Sequence, residues 1–265
     1  MSNIYEMARR GVPLKGCFTI IDCHCHMGYW HNFHVPKGSP EEMLASMDSL
    51  GIDMACLTHH SSIGPDYRYG NDKIREAIEK YPKRFVGYVT LNPNYPEDMK
   101  NEIGRCFSIR GFKGIKLHPA SHGSPIDHKN YHPAYEAANQ KHCPILIHVW
   151  GQNEVAIVDT LAYEYPEANF IMGHTGGEEK AMEYAVQVIN RHDNVFADLT
   201  VSVVREGNVE WFVNEIGSHK TLFGSDMPFI DPRSALGRVA LAQINEQEKI
   251  DILGGNMSRL LGIVE

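Results

Sequence analysis

Phe18-Thr19-Ile20-Ile21-Asp22-Cys23-His24-Cys25-His26 decides how this chain is read. An apolar, β-branched run passes straight into alternating acid, imidazole and thiol side chains. A strand turns successive side chains to opposite faces, which places Asp22, His24 and His26 on one face and Cys23 and Cys25 on the other. Two imidazoles at i and i+2 on one face of a strand end reach a single cation, so the stretch reads as part of a metal site. A thiolate zinc site that also uses both cysteines is disfavoured, because the thiols face away and structural zinc sites use CxxC or HxxxH-like spacings. Cys23 and Cys25 are expected instead as dry, unreactive core residues between a sheet and its helices.

Working outward, strand-like runs recur at Phe18–Asp22, Met54–Thr58, Phe85–Leu91, Gly111–Leu117, Pro144–Val149, Asn169–Gly173, Val195–Leu199 and Leu222–Ser225. Their spacing of roughly thirty residues is that of βα units. Helix-like stretches fill the gaps: Glu41–Leu50 after Ser39-Pro40, Asp72–Lys80 after Asn71, and Glu97–Phe107 after Tyr95-Pro96. Tyr131–Lys141, Glu154–Tyr163, Glu178–Asn190, Val204–Glu215 and Pro232–Ala242 follow. Strands alternating with helices imply a parallel sheet, and eight repeats imply closure into a (β/α)8 TIM barrel. The expected organisation is one α/β domain over residues 1–265, with residues 1–17 as an N-terminal extension packed on the barrel. An open doubly wound sheet would carry an early glycine-rich phosphate turn, and none is present; Gly176-Gly177 reads as a turn before a helix. The loop His31–Gly38, with Phe33, reads as a pocket wall or lid, and Asn256–Leu261 as a short helix.

Composition narrows the class. The 265 residues carry a formal charge of −8 with acids and bases interspersed. No basic stripe suits nucleic acid, and the acidic balance disfavours an anionic membrane surface. Six cysteines (Cys17, Cys23, Cys25, Cys56, Cys106 and Cys143) show no disulfide framework, which points to a reducing cytoplasm. Met1 to Lys15 lacks the apolar core of a signal peptide, and no apolar run approaches the ~20 residues of a membrane span.

Catalytic groups of a barrel sit at the C-terminal ends of its strands. Here those ends carry His24 and His26, His59-His60, Asn92-Pro93, Lys116-Leu117-His118-Pro119, His148, His174 and Asp226. Imidazoles with a carboxylate suit Zn²⁺ and its activation of water. Lys116 and His118 share one strand face, which is expected to be the lumen, where a cation suits a substrate carboxylate. Trp150 shares the parity of His148 and is placed to stack on a planar substrate, with Tyr29, Trp30 and Phe33 closing over it. One of His59 and His60 is expected in the pocket.

With these motifs the chain resembles the amidohydrolase superfamily, in its amidohydrolase family 2 branch of metal-dependent barrel hydrolases. The matching segments are Asp22-Cys23-His24-Cys25-His26, Gly111-Phe112-Lys113-Gly114-Ile115-Lys116-Leu117-His118-Pro119 and Pro144-Ile145-Leu146-Ile147-His148. Ile171-Met172-Gly173-His174-Thr175-Gly176-Gly177, Leu222-Phe223-Gly224-Ser225-Asp226-Met227-Pro228 and Gly255-Asn256-Met257-Ser258-Arg259-Leu260-Leu261 complete the set. The resemblance implies that His24, His26, His148 and Asp226 ligate one metal, expected to be zinc. It implies that Asp226 doubles as general base and that His174 is an acid or electrophile beside it. In binuclear members of the superfamily a strand-four lysine is carbamylated and bridges two metals. The branch resembled is usually mononuclear, so Lys116 is expected unmodified, with Lys116, His118, His60 and Trp150 meeting the substrate.

The activity this implies is metal-dependent hydrolysis of an amide, lactone or ester of a small carboxylated substrate. The alternative is non-oxidative decarboxylation, similar to aminocarboxymuconate semialdehyde decarboxylase of the same branch. A catalytically silent metabolite-binding barrel ranks third. The expected partner is a small-molecule substrate, with assembly into a homo-oligomer left open.

Overall fold

The computed structural model describes residues 3–16, 18–200 and 205–263. Eight parallel strands run in sequence order: β1 Ile21–Met27, β2 Met54–His59, β3 Phe85–Thr90, β4 Phe112–Leu117, β5 Pro144–Trp150, β6 Asn169–Gly176, β7 Val195–Asp198 and β8 Thr221–Leu222. The barrel is closed where β1 meets the segment after β8. There the Cys23 amide donates to Phe223 O at 2.9 Å, Asp226 to His24 O at 2.8 Å and His26 to Met227 O at 2.8 Å. Helices cover the outside between successive strands, giving the expected (β/α)8 TIM barrel. None of the described helices is long and apolar enough to cross a membrane.

Two apolar cores follow from strand alternation. The larger lies between barrel and helices and takes in Cys25, Leu57, Val89, Leu117 and Val149. The smaller draws Ile21, Cys23, Cys56, Tyr88, Leu146, Ile171, Phe196 and Leu222 together from seven strands, so it fills the lumen. Cys23 therefore points inward, against expectation, while Cys25 points outward as expected. The β1–β2 register slips between Asp22 and Cys25. That bulge inserts one residue and breaks strict alternation, so Cys23 and His24 both reach inward.

The helix Pro40–Leu50 starts as read, with Ser39 and Glu42 forming a capping box. The next helix differs, since Tyr67–Lys80 begins at an Asp66 cap five residues before the expected start. Asn71 is then buried inside the helix, where its side chain accepts from the Thr90 amide and donates to Thr90 O, holding the end of β3. Near the N-terminus the short helix Ile4–Arg9 buries Ile4, whose amide donates to Glu246. The expected Val204 helix start and Cys17 lie outside the described residues; the helix there is described over Asn208–Ile216.

Candidate active site

The site forms around the barrel seam. β1 supplies His24 and His26, and the segment after β8 supplies Asp226. His26 Nε2 lies 3.0 Å from Asp226 Oδ1, His24 Nε2 lies 3.8 Å from the same oxygen, and the two Nε2 atoms are 3.1 Å apart. Each ring is held from behind at Nδ1, His24 by Asp198 Oδ2 at 2.7 Å and His26 by the Thr58 hydroxyl. All three residues are buried. Burial, reinforced by Lys116, pulls His26 well below the ordinary imidazole range, so its ring is neutral at neutral pH.

Lys116 arrives from β4, fully buried, and its Nζ donates to His24 Nε2 at 2.9 Å. Burial pulls the ammonium down to about 8, against the opposing charges of Asp226 and Asp198. Of the four expected ligands, the structure brings three to one point. His148 lies outside that group, with its ring stacked 4.1 Å from His118 and edge-on to His174 at 4.7 Å. Trp150 lies parallel to His148 at 6.1 Å, so His118, His148 and Trp150 form three nearly parallel planes. Trp150 also lies over Gly177, where a Cβ would sit 2.4 Å from the indole, so any larger residue would displace the ring.

On the other side His60 packs 5.4 Å from His26 and stacks against Trp30 at 5.3 Å. Trp30 continues to Phe33 and Phe229. His59 turns the other way, against Gly28 and Tyr69. Tyr29 is exposed beside that outer cleft and takes no part in the wall. His174, 5.1 Å from His24, is pulled by burial to about 3 and is neutral at neutral pH. Its buried Nδ1 and that of His60 Nε2 have no hydrogen-bond partner among the described residues. His174 (φ 65°), Thr175 (φ 46°) and Asp226 (φ 62°) occupy the left-handed region, which non-glycine residues rarely enter, so backbone strain is concentrated at the site.

Two buried carboxylates escaped the sequence reading. Asp198 ends β7 inside the run Val195-Phe196-Ala197-Asp198-Leu199, and an acid within an apolar strand was the available signal. Burial alone would raise its pKa, but His24 and its hydrogen bond hold it at about 2. Asp22 was noticed only for its parity. It accepts from the His24 and Ser225 amides at 3.2 and 3.1 Å and locks the seam. Burial pushes it up to about 6, against the opposing Ser225 hydrogen bond.

The donor set fits a divalent cation. With Nδ1 of both rings engaged, two imidazole lone pairs and a carboxylate oxygen face one another across 3.0 to 3.8 Å. Such acceptors repel unless a positive charge stands among them. Nitrogen with oxygen ligands suits zinc or another first-row cation. Lys116 partly answers the repulsion, and a cation would take the His24 lone pair in its place.

A profile of the amidohydrolase family matches residues 21–263. A 2-amino-3-carboxymuconate-6-semialdehyde decarboxylase of Dictyostelium discoideum is 22% identical over 240 residues, covering 74% of this chain and 66% of the relative, so the chain spans just under two thirds of that protein's length. A 2-keto-4-carboxy-3-hexenedioate hydratase of Sphingobium sp. is 25% identical over 240 residues, covering 72% of this chain and 69% of the relative. Among solved structures, the 5-carboxyvanillate decarboxylase of Novosphingobium aromaticivorans, complexed with manganese and 4-hydroxy-3-methoxy-5-nitrobenzoic acid, superposes with a TM-score of 0.76 at 17% identity, covering 94% of this chain and 99% of that one. At that identity the likeness shows the fold.

Proposed function

Because the chain belongs to the amidohydrolase family, we propose that it is a metal-dependent carboxy-lyase that removes CO₂ from a small, planar, unsaturated or aromatic acid. One observation carries this reading. The three-ligand cluster is flanked by flat rings: His60, stacked on Trp30, packs against His26, while His118, His148 and Trp150 stack on one another and reach His24 through His174, and the buried Lys116 ammonium bonds His24. Flat rings beside an ammonium suit a flat anion. Two of the three relatives described act as decarboxylases by name, which supports the same reading.

A divalent cation held by His24, His26 and Asp226, zinc in our proposal, supplies Lewis-acid polarisation of the substrate. With His24 Nε2 turned to that cation, Lys116 would be free to pair with the substrate carboxylate. His174, neutral at neutral pH, donates a hydrogen bond and carries no charge of its own. The bond between the ring or diene carbon and the carboxylate breaks, CO₂ leaves, and the electron pair left on carbon takes a proton that the Asp226 carboxylate first accepts from solvent and then relays. Lys116 stays unmodified and one cation suffices.

Hydrolysis, the first expectation from sequence, would use the same groups on a metal-activated water and stands second; the hydratase relative shares with it only the use of water. Product analysis separates the two. The metal-loaded protein is offered aromatic and dienoic acids, lactones and N-acyl amides in ¹⁸O-labelled water, and separately in D₂O, with CO₂ detection. Decarboxylation releases CO₂ and places one deuterium on carbon. Uptake of ¹⁸O into an acid product without CO₂ would replace the proposal with the hydrolase.

A further inference from the structure

We propose that Asp198 is the positioning residue that decides whether His24 can hold the cation, by fixing which ring nitrogen of His24 carries the proton. The inference rests on the metal-dependent reading above and extends it to a residue that touches neither cation nor substrate.

The argument starts from the two oxygens of Asp198. Oδ2 lies 2.7 Å from His24 Nδ1 and accepts the His174 amide at 3.3 Å. Oδ1 accepts the Thr200 amide at 2.9 Å and the Thr200 hydroxyl at 2.7 Å, with the Cys23 thiol at 3.7 Å. Asp198 and His24 are completely buried. A carboxylate accepts only, so the ring nitrogen facing it must be the protonated one. His24 therefore carries its proton on Nδ1 and leaves the Nε2 lone pair facing His26 and Asp226. Metal-ligating histidines gain basicity and a fixed orientation from such a partner.

The main chain supports this carboxylate. The Asp198 amide donates to Thr175 Oγ1 at 2.9 Å, and that hydroxyl donates to Asp198 O at 2.8 Å. Since Oδ2 also takes the His174 amide, one oxygen sets both the His24 tautomer and the strained backbone of His174.

The same contacts state what an amide would do. In Asp198→Asn, the two Thr200 donors favour oxygen at the Oδ1 position, so the NH₂ group falls toward His24. An NH₂ donor facing Nδ1 moves the ring proton to Nε2, where it blocks the cation. Zn²⁺ affinity should then drop about 10- to 100-fold.

Two measurements test this. The first is the long-range ¹⁵N–¹H correlation of the His24 ring in metal-free protein, assigned by comparison with His24→Gln. It should show protonated Nδ1 in the wild type and protonated Nε2 in Asp198→Asn. The second is Zn²⁺ affinity by competition with a chromophoric chelator, with the melting temperature of the metal-free variant alongside. A merely structural Asp198 would lower the melting temperature and leave the affinity within about threefold; that result in a folded variant overturns the proposal. Protonated Nε2 in the wild type overturns it even if the variant fails to fold. If the wild type binds no Zn²⁺, the metal-dependent reading fails, while the tautomer measurement still decides the role of Asp198.

Discussion

His24 and His26 each give one ring nitrogen to a partner behind the site and turn the other toward Asp226. His26→Ala and Asp226→Ala each remove one of three donors, and turnover should fall by about a thousandfold or more. The metal-free variants should melt within about 5 °C of the wild type, because each deletion also relieves acceptor repulsion. Full turnover by either variant, or by protein with no bound metal on elemental analysis, would sink the metal site. Gly224 gives a second test at this scale. A Cβ there would lie 2.2 Å from Thr200 Oγ1 and 2.3 Å from Asp198 Oδ1. Gly224→Ala must push the Asp198 carboxylate aside, at about 1–3 kcal/mol of overpacking. Reduced stability together with weakened zinc binding is expected; unchanged zinc affinity in a folded protein would show that the carboxylate tolerates displacement.

At the scale of elements, the helices Tyr67–Lys80 and Pro96–Phe107 are pinned to β3 by a buried polar link. Asn71 bonds both main-chain groups of Thr90 and donates to Glu102 Oε1 at 2.8 Å; Arg105 also binds Glu102 at 2.7 Å and reaches Asp72 at 2.6 Å. Asn71→Ala leaves buried groups unpaired and should cost about 2–3 kcal/mol by urea unfolding. The link also sets an acid limit. Burial raises the Glu102 pKa, but Arg105 and Asn71 outweigh it and hold the group below its ordinary 4.5. A carboxylate lowered in the folded state adds stability above its unfolded pKa, and that stability is lost as pH falls through the folded value. Below about pH 5, wild-type stability should therefore fall more steeply than that of Glu102→Gln; parallel slopes would discount the link.

Elements also show what the sequence made legible. Seven of the eight strands start within one residue of the expected positions, because apolar runs bounded by Gly, Pro and Asn mark them. β1 begins three residues later than read, since Asp22-Cys23-His24-Cys25-His26 continues the strand instead of ending it. Its bulge reverses Cys23, and no local pattern announces a bulge set by pairing to β2. Asp198 lies 174 positions from His24, so its apolar strand could mark it as a buried acid but not as the partner of that ring. The barrel's strand-end rule placed His24, His26 and Asp226 at one end of the barrel and the family resemblance singled them out as ligands, whereas the stacking of His148 on His118 depends on ring orientation.

For the whole molecule, the proposed cation site and the closure of the barrel coincide. β8 is two residues long and pairs with β7 at two positions. The first and last strands meet through the Cys23, His26 and Asp226 amides and through Asp22, which takes the Ser225 amide. Two of the proposed ligands come from β1 and the third from the segment after β8, so a cation bound there would fasten the two ends of the sheet to each other. Zinc at about a hundred times its Kd should add about 2.7 kcal/mol of stability, raising the melting temperature by about 5–10 °C for a chain of this size. The gain should be local as well as global. In hydrogen exchange, stripping the metal with a chelator should speed exchange of the Cys23, His26 and Asp226 amides more than tenfold. The Ile147 and Met172 amides, inside the long β5–β6 pairing, should hold their rates under native conditions. Uniform acceleration across all strands would mean that the cation stabilises the barrel as a whole, and unchanged seam amides would mean that hydrogen bonds alone close it.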